Sequence, residues 1–301
     1  MRSMVKLRGP GRALTPAVLV LAIGLVATGC PPRDIPPNPD LDKWNKDAKC
    51  KRSNNCYNYA TDLKTDTFAQ PGNEGGDPIS PITCAEAKQS AKSDGLKDAD
   101  GMGMCPADHI RTALVVDPGT DYHWYRQNAD GTWSHKPGQT CATTKDNAGD
   151  PITDPATADR DGYTDFCGYM CVPLTVTTIK TLEVAEVKGA EPLVQVAIVR
   201  RSGVANPGWT LTDPLEYDTL AAYLEDLVPV ANPNWPELLG YRGFAILRQD
   251  DALPIANIVR VWNGVIEFHE GETMSFFADG NGLEAFLTSE AIARGLGSEL
   301  P

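Results

Sequence analysis

The apolar positions follow three different patterns along the chain. Residues 17–27 read AVLVLAIGLVA, an unbroken apolar run. From residue 41 to 172 the apolar positions come in short groups separated by Gly, Asp, Asn and Thr, the residues of turns. From residue 173 onward longer strand-like and helix-like patterns return.

In the middle region the spacing predicts a helix opening near Asn55, through CYNYATDL. A second runs from Ile82 to Ser93, where Ala85, Ala87 and Ala91 sit among strong helix formers. Arg111 to Val116 reads as a buried strand. Tyr122 to Arg126 and Thr132 to His135 flank Asn128-Ala129-Asp130-Gly131, and the Asp-Gly pair predicts a β-hairpin. Further on, Val194 to Val199, Gly243 to Leu247 and Ile258 to Phe268 read as strands by their β-branched content. Leu215 to Leu227 places Leu215, Leu220, Tyr223, Leu224 and Leu227 on one helical face, and Gly282 to Arg294 repeats that logic with Leu283, Phe286 and Leu287. No internal repeat relates the halves.

The first segment is a processing signal by its order. Arg2, Lys6, Arg8 and Arg12 precede the apolar run, and Thr28-Gly29-Cys30 follows it. The run is shorter than the roughly 20 residues a spanning helix needs. Ala27-Thr28-Gly29-Cys30 resembles the bacterial lipobox, with Ala27 where that pattern usually has Leu or Val. The resemblance implies cleavage before Cys30, a lipid on that cysteine, a membrane as partner through the lipid, and a place in the bacterial cell envelope. PPRDIPPNPD follows, too rich in proline to pack a core and suited to an extended stalk. The expected organisation is a signal peptide over 1–29, a lipidated cysteine and Pro-rich linker over 30–43, a disulfide-rich domain over 44–172, and a cysteine-free α+β module over 173–301.

Charge and cysteines narrow the picture. The chain has 27 Lys and Arg against 40 Asp and Glu, a net charge of −13. Such a balance argues against nucleic acid or anionic lipid surfaces as partners, because both need basic patches. Beyond Cys30 the cysteines are Cys50, Cys56, Cys84, Cys105, Cys141, Cys167 and Cys171, all before residue 172. In an oxidising compartment they read as disulfide staples, and their odd number leaves one thiol unpaired or paired between chains. The spacing does not choose the pairs. The CxxxC of Cys167 and Cys171 lacks a second cysteine pair or a His at metal-ligand spacing, so disulfide bonding is favoured over metal. No cofactor is expected.

Cys56, His123 and His135 are the candidates for catalysis. Cys56 opens a predicted helix, where unsatisfied N–H groups would stabilise a thiolate. His123 and His135 lie on the two arms of the predicted hairpin, close enough for one ring to take the thiol proton while the other orients it. Against this, Cys56 is equally a candidate for a disulfide, His123 beside Trp124 and Tyr125 for packing, and His135 for a turn. The order of a cysteine opening a helix, then a histidine on one strand and a polar residue on the next, resembles the papain-like fold. The nearest resemblance is to the NlpC-type peptidoglycan endopeptidases, over roughly residues 50–140. It implies Cys56 as nucleophile, His123 as base and His135 as orienting residue, in a papain-like α+β domain that cleaves amide bonds in cell-wall peptide. The sequence departs from that family in having Asn55 before the cysteine and Tyr57 after it.

Three other groups are weighed. Asp146, Asn147, Asp150, Asp154, Asp159, Asp161 and Asp165 form an acidic stretch that fails the EF-hand pattern, since Gly168 stands where the closing Glu is needed. It reads as solvated turns, with Asp146 or Asn147 as alternative orienting residues for the histidines. Trp209, Tyr241 and Arg242 stand in NPGWTLT and LGYRGFAIL and read as turn and core residues before surface contacts. His109 and His269 carry no assigned role. The functional expectation is a lipid-anchored cysteine hydrolase. The alternative is a non-catalytic binding or structural surface lipoprotein.

Overall fold

The computed structural model describes residues 40–46, 53–181, 194–235, 237–248, 258–270 and 273–301. The signal segment, Cys30, the Pro-rich linker and Cys50 lie outside the described residues. Everything described belongs to one compact unit, Arg33–Pro301. None of its helices is long and apolar enough to cross a membrane.

Two antiparallel sheets organise the described residues. The first is built from β1 (Lys97–Asp98), β2 (His109–Asp117), β3 (Asp121–Gln127), β4 (Trp133–His135) and β5 (Asp165–Pro173), in spatial order β1-β5-β2-β3-β4. Helices α1 (Leu41–Asn45), α2 (Cys56–Thr61) and α3 (Cys84–Ser93) precede it in the chain. The second sheet has β6 (Val194–Ile198), β7 (Gly208–Leu211), β8 (Phe244–Arg248), β9 (Ile258–Trp262), β10 (Val265–Glu270) and β11 (Thr273–Ala278), in order β11-β10-β9-β8-β6-β7. Helix α4 (Pro214–Ala222) follows β7, and α5 (Leu283–Ala293) follows β11.

Successive side chains on a strand point to opposite faces, and this alternation splits the first sheet's core in two. On the face covered by α2 and α3, Ile110, Leu114, Val116, Tyr122, Trp124, Met170 and Val172 pack with Cys56, Tyr57, Ala87 and Ala91. On the other face, Ala113, Val115 and Tyr125 pack with Trp133, Ile152, Tyr163 and Leu239. The hairpin of β3 and β4 forms where Asp130-Gly131 supplies the turn, with Gly131 at φ 85°. Helix α2 begins at Cys56 because Asn55 caps it. Its side-chain oxygen accepts from Tyr57 N and Asn58 N, and the Asn58 side chain accepts from Asn55 N in return. Asp62, left-handed at φ 57°, ends the helix after six residues.

The second sheet buries one face under α4 and α5. Val194, Val196, Ile198, Phe244, Ile246, Val259, Val261 and Ile266 meet Tyr217, Leu220, Leu283 and Leu287. Gly243 precedes β8 at φ 76°, where a Cβ would stand 2.0 Å from the Val261 carbonyl oxygen.

The expectation of a papain-like α+β domain followed by an α+β module is overturned: the architecture is mainly antiparallel sheet with short helices. The helices run only five to eleven residues. Asp165–Pro173, where the sequence predicts no element, is a nine-residue strand pairing with β2 along its length. Ile258–Phe268, read as one strand, is a hairpin, because Asn263 and Gly264 take positive φ values of 50° and 75°. Strands β7 and β11 were not expected.

Among the described residues two disulfides, Cys84–Cys167 and Cys105–Cys171, fasten β5 to the start of α3 and to the loop before β2. Cys167 and Cys171 are thus oxidised with separate partners. The bonds close segments of 83 and 66 residues, so the chain-entropy account gives each about 4 kcal/mol. A Cys84→Ser/Cys167→Ser double variant is expected to lose about 2–4 kcal/mol, read as a lowered denaturation midpoint in urea.

Candidate functional site

The register of the β3–β4 hairpin sets the geometry of the histidines. Tyr125 lies opposite His135, which places His123 diagonally across from His135 on the same face. The His123 Nε2 and His135 Nδ1 atoms are 2.8 Å apart. The His135 ring stacks on Tyr125 at 4.9 Å, and His123 meets Tyr125 edge-on at 4.8 Å. The remaining nitrogen of His135, Nε2, is 2.9 Å from the Lys145 carbonyl oxygen, which can only accept. His135 Nε2 therefore carries the proton and its Nδ1 accepts from His123 Nε2–H. That assignment leaves His123 Nδ1 as a buried lone pair with no hydrogen-bond partner.

Both rings are fully buried, and burial holds both neutral. It pushes His135 down to about 4, and it pushes His123 well below the usual histidine range, with His135 and Arg242 adding to the effect. Cys56 packs in a cluster with Tyr122 and Trp124, and its Sγ lies 3.9 Å from the Tyr122 carbonyl oxygen. Among the described residues no hydrogen bond joins it to either histidine. Cys56 is a free thiol, but a sealed one: burial raises its pKa well above the usual value, and Asp121 adds to the rise. The N–H groups of Tyr57 and Asn58, which an oxyanion would need, already donate to Asn55.

The strongest polar assembly nearby is one the sequence did not single out. Asp121, at the start of β3 and 2% exposed, accepts from Ser202 N at 2.6 Å, Gly203 N at 3.1 Å and Val204 N at 2.9 Å, and from the Tyr163 hydroxyl. Burial raises its pKa, and these donors oppose the rise. The Gly203 carbonyl accepts from Asn55 Nδ2 at 2.8 Å, Gln70 Nε2 at 2.7 Å and the Tyr122 hydroxyl at 3.3 Å. A Cβ at 203 would sit 2.5 Å from Tyr122, so only glycine fits there. The loop before β7 is thereby held into the first sheet through its main chain. Its only advance signal was the Ser-Gly pair at 202–203, an ordinary turn mark.

The other weighed residues serve the same junction. Asn147 exchanges two hydrogen bonds with the Leu239 main chain, at 3.2 and 2.8 Å. Asp146 accepts from the N–H groups of Ala148, Asp150 and Asp159 and so shapes its own turn. Neither contacts the histidines by a hydrogen bond, so neither orients them. Arg242 is buried and donates to the carbonyls of Leu238, Gly240 and Arg201. Trp209 and Tyr241 pack at the edge of the second core. His109 pairs with Asp108, and His269 with Glu267. Among the described residues no group of three acidic, His or Cys side chains is placed to hold a metal ion.

Insoluble matrix shell protein 1 of Ruditapes philippinarum is 46% identical to this chain over 134 residues, which are 44% of this chain and 86% of that protein. The chain belongs to the same family. No family profile matches it, and no solved structure matches it. Membership of the insoluble matrix shell protein 1 family overturns the expectation of a lipid-anchored bacterial cysteine hydrolase acting on cell-wall peptide. The relative is a shell protein of an insoluble matrix, from a mollusc. It gives no support to a papain-like or NlpC-type activity.

The neutral histidines make stability depend on pH. Their folded pKa values lie below the unfolded value near 6.5, so below pH 6.5 the unfolded chain binds more protons. Stability is full above pH 6.5 and falls as pH drops toward 4, by about 3 kcal/mol from His135 alone. Urea midpoints at pH 7, 5.5 and 4.5 test this; a His135→Gln variant should show a shallower fall than wild type. Removing the Asp121 carboxylate as Asp121→Ala strands three buried N–H groups and should cost about 3 kcal/mol, measured the same way at pH 7.

Proposed function

We propose that the chain is a non-catalytic structural protein of an extracellular insoluble matrix. The observation that carries this reading is the fate of its reactive groups. The Cys56 thiol is sealed in an apolar core, the histidine pair is neutral and its two rings hydrogen-bond each other, and the helix-start N–H groups are already capped. What these residues build is rigidity. The 46% identity to a shell protein of an insoluble matrix supports the same role. The two disulfides suit an oxidising extracellular setting. The surplus of acidic residues keeps such a body from binding polyanions without selection.

The test is extraction from the extracellular material of the organism or host that secretes the chain. The protein should stay with the insoluble fraction through salt and detergent washes, and Cys56→Ala should partition as wild type does. Iodoacetamide should leave Cys56 unmodified until denaturant is added. Recovery of the whole protein in the salt wash, or an amide-cleaving activity that Cys56→Ala abolishes, would overturn the reading.

A further inference from the structure

The outer face of the second sheet carries charge where its inner face carries the apolar core. Alternation along β9 and β10 turns Val259, Val261 and Ile266 inward and Arg260 and Glu267 outward. Arg260 donates to Glu267 at 3.4 Å, and both are buried although they face away from the core. Residues 232–235 and Glu237 lie beside them. The Trp235 ring is 5.4 Å from the Arg260 guanidinium and 5.7 Å from the Trp262 ring.

Between these elements and Asn45 opens a cleft of about 310 Å³. Its polar lining comes from Asn232, Asn234, Glu237, Arg260 and Glu267, and its apolar lining from Trp235, Met274 and Phe276. Several of these groups have hydrogen-bonding capacity in reserve among the described residues. Trp235 Nε1 is buried with no partner, a donor that ordinarily finds an acceptor when it leaves water. Asn232 accepts from Asn234 N through Oδ1, which leaves its Nδ2 donors, and Asn234 donates through Nδ2, which leaves its Oδ1.

The chemistry of this lining selects its ligand. An anion would meet Glu237 and Glu267, and a cation would meet Arg260. An aliphatic guest would leave the spare Asn232 and Asn234 amide groups without partners at a cost. A neutral polyhydroxylated ring meets all of them: its hydroxyls both donate and accept, and its C–H face lies on an indole. The volume is near the lower end of ligand cavities, about 300 Å³, the scale of one or two sugar units. We propose that this cleft binds a neutral saccharide, a unit of the polymer with which the protein is laid down. The inference rests on the matrix reading above for the source of the sugar, and on the cleft alone for its chemistry.

Calorimetric titration of the purified secreted chain tests it with three soluble tetrasaccharides: a glucose oligomer, an N-acetylated amino-sugar oligomer and a uronic-acid oligomer. Saturable binding of one of the two neutral oligomers is expected. Trp235→Ala should weaken it about tenfold. Asn232→Ala, at an exposed position that leaves the fold intact, should weaken it in the same direction. Trp209→Ala, on the opposite face of the sheet, should leave it unchanged. Absence of saturable binding, preference for the uronic-acid oligomer, or equal loss in Trp209→Ala would each overturn the site. Retention in the insoluble fraction is a separate readout, so loss of sugar binding with retention intact removes the cleft's role and spares the matrix reading.

Discussion

A buried carboxylate organises the meeting of the two sheets. Asp121 stands at the first residue of β3, out of reach of water, where an uncompensated negative charge would be costly. Its compensation comes from the three successive N–H groups of Ser202, Gly203 and Val204 and from the Tyr163 hydroxyl. Because the partners are main-chain groups of the other sheet's loop, the charge is satisfied only when the two sheets are docked. Docking in turn brings the Gly203 carbonyl to Asn55, Gln70 and Tyr122, and Asn147 to Leu239. The cap of α2 and the position of the second sheet are therefore one arrangement, joined through Asn55.

The same docking buries residues of reactive types. A nucleophilic cysteine needs an exposed sulfur and an acid–base partner on its own side of the sheet. Cys56 instead lies under the Tyr122 main chain, and the loop of residues 202–204 covers the neighbouring polar groups. The histidines keep a short hydrogen bond to each other, with the Lys145 carbonyl fixing which nitrogen holds the proton. The pair sits in an aromatic setting of Tyr125 and Tyr163.

Local signals in the sequence carried over well and long-range ones did not. Asn55 before CYNYATDL marked the start of α2, and Asp130-Gly131 marked the hairpin that unites His123 with His135, because both depend on neighbours within a few residues. Strand β5 was hidden by a glycine and two cysteines; its stability comes from β2, more than fifty residues away in sequence. Strand β7 begins at Gly208, directly after Asn206-Pro207, which reads as a turn. Asn263-Gly264 was a legible hairpin mark inside an apolar run, masked by the β-branched residues on either side. The role of Asp121 was beyond reach for a simpler reason, since its partners are backbone atoms 81 to 83 residues on.

The two disulfides also bear on how the molecule would respond to being pulled. Cys84 is bonded to Cys167, so tension entering at one end of the chain crosses directly from residue 84 to residue 167 and bypasses the segment between them. Fully extended, that bypassed segment would span roughly 280 Å. While the bond stays oxidised this length cannot be drawn out, and most of the first sheet remains folded under a force that strips the rest. In a solid that must resist deformation, the bond acts as a stop on elongation, and a reducing milieu would turn the same body into an extensible one.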